Sequence, residues 1–291
     1  MSCKILLAGL RLIRLPNVFT AMADVMAGYF LVLGPAAKIR DLVLLAMVSA
    51  CVYAGGCALN DVCDFELDRV ERPSRPLPSG MISRRSAMLF TGLLFGCGLG
   101  FAAMIGLPVL LMAFVLVCLV VGYDCFVKNV VVLGSLTMAT CRAVNLLLGM
   151  VPGIYAGTAL FLPLISLCYV FGLTTLSKFE TCATPGRYRL VAGGWLAASL
   201  ASVVGLVALG LLKAQALLAL FGLGLMIGPP LWGWFREAAP QSTGRAVKAL
   251  VLGIPLLDAA YVVGIQEWTF ALPLLGCVVL AVAAAKWMHV S

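Results

Sequence analysis

The densest chemistry in this chain lies in the run Asn60-Asp61-Val62-Cys63-Asp64-Phe65-Glu66-Leu67-Asp68. On a helix turning by about 100° per residue, Asp61 and Asp64 fall about 60° apart, and Asp61 and Asp68 about 20° apart. Three carboxylates then share one stripe, with Asn60 at its edge. Like charges so placed repel and weaken a bare helix. A hard divalent cation reverses that penalty, because Mg2+ takes carboxylate oxygens and fills its octahedron with water and phosphate oxygens. The spacing therefore predicts Mg2+ held between protein carboxylates and a bound diphosphate. The plainer alternative is a solvated helix end whose acids pair with Arg69, Arg72 and Arg75.

The next residues, Arg69 to Gly80, set those three arginines among Pro73, Pro76 and Pro78. Proline at that density disfavours a helix, so a stiff cationic loop is expected. Arginine forks match phosphate geometry, which places such a loop over a diphosphate. The same charge also serves as a topological signal at a membrane face.

The elements that must carry this site are apolar. The chain has 291 residues, 63% hydrophobic and 11% charged, with mean hydropathy +1.10. A soluble domain of this size needs far more charge to cover its surface. Continuous apolar runs occupy about 18–34, 41–60, 86–105, 107–123, 130–152, 157–177, 190–212, 214–234, 246–265 and 269–288. Most are long enough to cross a hydrocarbon core of about 30 Å. Their continuity argues for helices over a barrel, whose strands would alternate. The expectation is an all-α polytopic membrane bundle of nine or ten spans around a central cavity. Lys213 interrupts 190–234, which reads as two spans or as one span plus a re-entrant piece. Residues 1–16 lack the apolar core of a cleaved signal peptide and read as an interfacial helix. No linker divides the chain, so one domain over 1–291 is expected.

Along an alternating topology, fifteen of the 20 Lys and Arg residues fall on one face, among them Lys4, Arg14, Arg72, Lys128, Lys178 and Lys248. The positive-inside rule makes that face cytoplasmic, and the expected location is a bacterial inner (plasma) membrane. The net charge of +8 is thereby explained without nucleic acid, which is excluded as a partner. Of twelve acids, five (Asp61, Asp64, Glu66, Asp68, Glu71) crowd into eleven residues at this face, and intramembrane carboxylates rarely cluster without a cation. The eleven cysteines have no paired-ligand spacing and read as buried packing residues. His289 has no sequence neighbour with which to bind a metal. Asp24 and Asp258 lie inside apolar runs, where an ionisable group is a functional candidate. A structural pairing, for instance with the intramembrane Arg142, is the competing reading.

Asn60-Asp-x-x-Asp-x-x-x-Asp68 followed by Arg72-Pro-x-Arg-Pro-Leu-Pro-Ser-Gly80 resembles the first signature of the UbiA-type intramembrane prenyltransferase superfamily. Arg14-Leu-Pro-Asn17 with Thr20, Tyr123 with Lys128, and Arg142-x-x-Asn145 with Gly149 are similar to further family patterns, in the same order. The resemblance implies about nine helices around a cavity, and Mg2+-dependent transfer of a prenyl group from an allylic diphosphate to a lipophilic acceptor, often aromatic. By resemblance, Asn60, Asp61, Asp64 and Asp68 are metal ligands or their supports, and Asp61, Asp64 and Lys128 are catalytic. Asn17, Arg72, Tyr123, Lys128, Arg142 and Asn145 bind substrate. The family's second acidic motif is thin here, because the matching stretch, Thr174-Thr-Leu-Ser-Lys178-Phe-Glu180-Thr-Cys182, keeps one carboxylate. Glu180 is then the remaining metal residue, and Lys178 can neutralise phosphate charge in place of a second metal. This departure, with Leu256-Leu257-Asp258-Ala259, resembles the EboC-like branch of the superfamily.

Two rivals stand beside the enzyme: a relative that binds or carries a prenylated or lipid-linked precursor, and an ion-coupled transporter using Asp24, Asp258 and Arg142. No inverted repeat supports the transporter, and the acids gather at one face rather than at midplane. A CDP-alcohol phosphotransferase would require an Asp-Gly-x-x-Ala-Arg element, which this chain lacks. Membrane lipid is an expected partner. Acceptor identity, prenyl length and protein partners are not legible.

Overall fold

A computed structural model of the chain describes residues 2–156, 159–237 and 239–290, with side chains for all of these except 2–6, 154–156 and 289–290. The side chains of Lys4 and His289 lie outside this set, as do the first two residues of the 157–177 run. The described residues form an all-α architecture.

Helix α1 (Ser2–Leu12) precedes the apolar bundle, with Leu12 packed on Ala58, Val62, Leu77 and Ala87. Then follow α2 (Leu15–Leu33), α3 (Ile39–Cys63), the short α4 (Phe65–Glu71), α5 (Arg84–Ile105) and α6 (Leu107–Gly122). The second half holds α7 (Val131–Met150), α8 (Leu162–Ser177), α9 (Gly186–Ala208), α10 (Gln215–Glu237), α11 (Pro240–Ile265) and α12 (Leu272–Val290). Among the described residues, nine helices are long and apolar enough to cross a membrane. The exception is α8, whose 16 residues rise only about 24 Å. It still counts as a crossing in the parity of the bundle. Lys178, at its end, donates to Lys128 O at 2.7 Å, just beyond α6. Arg11 of α1 reaches Met288 O of α12 at 3.5 Å, so both ends of the bundle meet on one face, as ten alternating crossings require. The ambiguous 190–234 stretch resolves into two full helices, α9 and α10, broken at Gly210 with φ 71°.

Helix α2 is the hub, packed against α3, α7, α11 and α12. It meets α7 backbone to backbone. A Cβ on Gly28 would strike the Leu146 carbonyl, and one on Gly149 would strike that of Val25. Small residues permit such approaches where lipid supplies no hydrophobic drive between helices. The peripheral α5, α6, α9 and α10 instead expose Leu93, Phe114, Val204 and Leu218, as lipid contact requires. Cys97 and Cys118 belong to this outer surface, which corrects the expectation that cysteines in apolar runs are buried. Cys51, Cys57, Cys141 and Cys277 are buried as expected.

Two local features shape the site. Arg14, between α1 and α2, is the one described non-glycine residue with positive φ, at 51°. That conformation costs about 1 kcal/mol and turns its side chain toward α3. The end of α6 widens into a π turn over Tyr123–Val127, a distortion common at functional sites.

Candidate active site

A cavity of about 1020 Å³ opens among α1, α2, α3, α6, α7, α8, α11 and α12. One end is polar, carrying Asn60, Arg72, Tyr123, Asp124, Lys178 and Glu180. The wall beyond is largely apolar, with Val52, Leu116, Val170, Leu173, Val251 and Ile254.

The acidic stripe is present, and it divides into two rows. Asn60 and Asp64 face the π turn: Asn60 Nδ2 donates to Asp124 Oδ1 at 2.9 Å, and Lys128 Nζ lies 2.6 Å from Asp64 Oδ1. Asp61 and Asp68, both buried, turn to the other side. Arg75 Nη1 lies 2.5 Å from Asp68 Oδ2 and 3.4 Å from Asp61 Oδ1. Arg14 Nη2 lies 3.3 Å from Asp61 Oδ1 and donates to Asn60 Oδ1 at 3.0 Å. The chain breaks helix geometry at Asp64, between α3 and α4 (φ −88°, ψ 7°), which lets one stripe serve two sets of partners. Part of the plainer reading is therefore realised: Arg75 pairs with the stripe, while Arg69 pairs with the exposed Glu66 at 3.3 Å.

Asp61, Asp64, Asp68 and Lys128 stand behind the cavity wall, and Asn60 is the member of the motif on it. Among the described residues, no three His, Cys, Asp or Glu side chains converge into a ready metal cage. Mg2+ needs less than that, since it is usually held by one or two carboxylates with water and substrate phosphates. The donors here are hard oxygens beside phosphate-matching cations, and they fit it.

Across the cavity mouth, Lys178 Nζ approaches Tyr123 Oη at 3.4 Å. Burial lowers its pKa from the ordinary lysine value and Lys128 adds to that, while Asp64 and Asp124 act in opposition. Glu180 also lies on the wall. Burial raises its carboxyl above the usual range, against the pull of Arg72, Arg14 and Lys248. Arg72 lies on the same wall.

The other expected substrate residues sit deeper. Asn17 lines the cavity, as does Tyr53 of α3. Arg142 donates to Asp24 Oδ2 at 2.8 Å and Thr20 Oγ1 at 2.9 Å, over the Tyr53 ring. Asn145 donates to Ala21 O at 2.8 Å, as does Ser49 Oγ of α3, also at 2.8 Å. Tyr53 and Ser49 precede Asn60 by about 10 and 16 Å of helix rise. Arg142 and Asn145 are therefore not beside the acidic stripe. Their charge and hydrogen bonds are spent on Asp24, which realises the structural pairing for that residue.

Three residues that matter here were not singled out as site residues from sequence: Asp124, Arg14 and Arg75. Arg14 and Arg75 were visible within recognised motifs. The signal for Asp124 was its place directly after Tyr123 and four residues before Lys128.

A model of the UbiA prenyltransferase family matches residues 21–235. The chain belongs to this family. The match runs from α2 into α10 and takes in the whole acidic stripe, the π turn and the end of α8. Among curated UbiA-related proteins, digeranylgeranylglyceryl phosphate synthase of Metallosphaera sedula is 37% identical over 142 residues, 48% of this chain and 49% of that protein. The synthase of Sulfolobus acidocaldarius is 32% identical over 173 residues, 59% and 61% of the two chains. The chain thus spans about half to three-fifths of the length of these two relatives. A solved UbiA homologue from Aeropyrum pernix K1 superposes with TM-score 0.69 at 17% identity, over 84% of this chain and 96% of that one. A UbiA homologue from Archaeoglobus fulgidus, solved with DMAPP and Mg2+, superposes with TM-score 0.52 at 17% identity, over 96% and 98%. These structures share the fold. The protein is an integral membrane protein.

Proposed function

We propose that the chain, acting as one domain over 1–291, transfers a prenyl group from an allylic diphosphate to a lipophilic acceptor. The reading places the polar end of the cavity at the cytoplasmic face of the plasma membrane, from the Lys and Arg bias. The single observation that carries it is the cavity itself: phosphate-matching cations and oxygen donors at one end, a long apolar wall beyond. The family, the synthase relatives and the homologue bound to DMAPP and Mg2+ support the same chemistry.

In this reading Asp64, Asp61 and Asp68, with Asn60 and Glu180, are the residues that hold Mg2+. The bound ion supplies Lewis-acid neutralisation of the departing diphosphate. Arg72, Lys128 and Lys178 add fixed positive charge where negative charge develops. Tyr123 orients Lys178, and Arg75 and Arg14 hold Asp61 and Asp68 in place. The apolar wall takes the prenyl tail and keeps water from the allylic cation.

The test is to incubate the purified protein in lipid nanodiscs with radiolabelled allylic diphosphates of several lengths, with and without Mg2+. Mg2+-dependent binding with diphosphate release on adding membrane lipid extract is expected. Binding without release would favour the carrier reading, which the sparse acids at the end of α8 support. No binding at any length would sink both.

A pH signature follows from Lys178. Because its pKa lies below that of an ordinary lysine, its charge is complete at lower pH and is lost earlier as pH rises. The kcat/KM for the allylic diphosphate is expected to fall on the alkaline side before an ordinary lysine would titrate. Lys178→Arg, always charged, should move that limb to higher pH. A limb unchanged by this substitution would clear Lys178 of the role.

A further inference from the structure

Asp124 differs from the carboxylates of the Asn60–Asp68 stripe and joins Glu180 on the cavity wall. Asp61, Asp64 and Asp68 each have a Lys or Arg nitrogen within 3.4 Å and stand behind the cavity wall. Asp124 is on the wall, 4% exposed, and its hydrogen-bond partner is the neutral Asn60 amide. Among the described residues no Lys or Arg ion pair engages it. The π turn is what aims it inward, and Cys125, the next residue, rests its Sγ 3.7 Å from Cys63 Sγ of α3. Gly56, one turn before Asn60, lets α3 approach this turn closely: a Cβ there would come within 2.7 Å of Val120 Cγ1 and 4.0 Å of Asp124 Oδ2.

A second observation points to a ligand in the same cavity. Thr174 Oγ1, in the last turn of α8, is buried and lines this cavity without a hydrogen-bond partner. Buried hydroxyls are seldom left so. A carboxylate without an ion-pair partner and an unsatisfied hydroxyl lining one cavity, with Lys178 a turn after Thr174, form an oxygen-donor set suited to a hydrated divalent cation that also carries phosphate.

We infer that Asp124 is a metal-binding carboxylate of the diphosphate site, supplied from the α6–α7 turn, with Thr174 bonding the hydration shell or a phosphate oxygen. The α8 end, which offers Thr174 and Lys178, is thereby served by a carboxylate from a different helix. This inference rests on the diphosphate-binding reading above.

The experiment measures binding of radiolabelled geranyl thiolodiphosphate, which cannot turn over readily, as a function of Mg2+. Asp124→Asn keeps the shape and the Asn60 contact. It is expected to raise the half-saturating Mg2+ by about tenfold or more, with unchanged melting in detergent. An unchanged Mg2+ requirement would overturn the assignment. So would tighter binding at every Mg2+ concentration, the mark of a carboxylate that merely repels phosphate. If Asp124→Asn melts early, Asp124→Ser, which also removes the carboxylate, substitutes for it, and there the absence of any shift overturns the assignment. Failure of the unaltered protein to bind in a Mg2+-dependent way would instead defeat the diphosphate-binding reading itself.

Discussion

Asp64→Ala is expected to lower Mg2+-dependent diphosphate release by about a hundredfold, with part of the loss recovered at high Mg2+. The size follows from losing a metal ligand, given that loss of even an outer-shell partner typically costs about 10–100-fold in metal affinity, and from the charge left behind. Lys128 Nζ lies 2.6 Å from Asp64 Oδ1, with both side chains largely shielded. Removing the acid therefore also releases a buried cation. Two roles for Asp64 must be separated: ligand for the metal, or anchor for Lys128. Lys128→Ala is the control. If Asp64 acts only through Lys128, both substitutions should give equal losses, neither responding to Mg2+, and the double variant should be no worse than either single one. If Asp64 binds the metal, only Asp64→Ala should respond to Mg2+. Equal, Mg2+-insensitive losses would remove Asp64 from the metal site. Measuring diphosphate release, rather than product, keeps the test independent of which acceptor is used.

How much of this site was legible in the sequence depends on how local each contact is. The Asn60–Asp68 stripe and the proline-locked arginine loop are readable because their geometry is set within a few residues. So are the spans, because hydropathy in lipid leaves the backbone little choice but helix. The split of the stripe was not readable. It depends on Arg14 and Lys128, which lie 47 and 64 residues away from their acids in sequence. Asp124 was passed over for the same reason: its partner Asn60 is 64 residues distant, and in sequence it is only a polar residue at the end of an apolar run. The π turn that aims it inward has no reliable local signal. Arg142 was legible as a motif residue but not in its depth along the cavity it lines. Its family pattern was correctly seen, yet motif membership does not reveal depth, and only the packing of α2 on α7 shows that Asp24 holds it away from the mouth. The short α8 was hidden because its apolar run extends beyond the helix itself.

That buried pair yields the largest expected effect on stability. Asp24→Ala should destabilise the bundle by about 3–5 kcal/mol, since it removes the carboxylate in direct contact with a buried guanidinium and leaves the more distant Asp258 as its remaining counter-charge. Both side chains are more than nine-tenths buried, at a contact of 2.8 Å. Arg142 would keep Thr20 and the Tyr53 ring, neither of which carries a negative charge at neutral pH. Asp258, on α11, is buried close enough to Asp24 and Arg142 to act on both electrostatically, and its Oδ2 has no partner, nor have Asp24 Oδ1 and Asn145 Oδ1. The network is thus only partly satisfied and depends on the pair at its centre. A buried ion pair can often be replaced as a unit by apolar residues with little loss, whereas removal of one member is costly. Asp24→Leu combined with Arg142→Met is therefore expected to melt well above Asp24→Ala in the same detergent. If the double variant lost as much as the two single variants added together, the pair would not be the element that ties α2 to α7. The glycine crossing at Gly28 and Gly149, with the Asn145 to Ala21 O hydrogen bond, would then carry that junction, and Gly149→Ala would be the substitution that unfolds it.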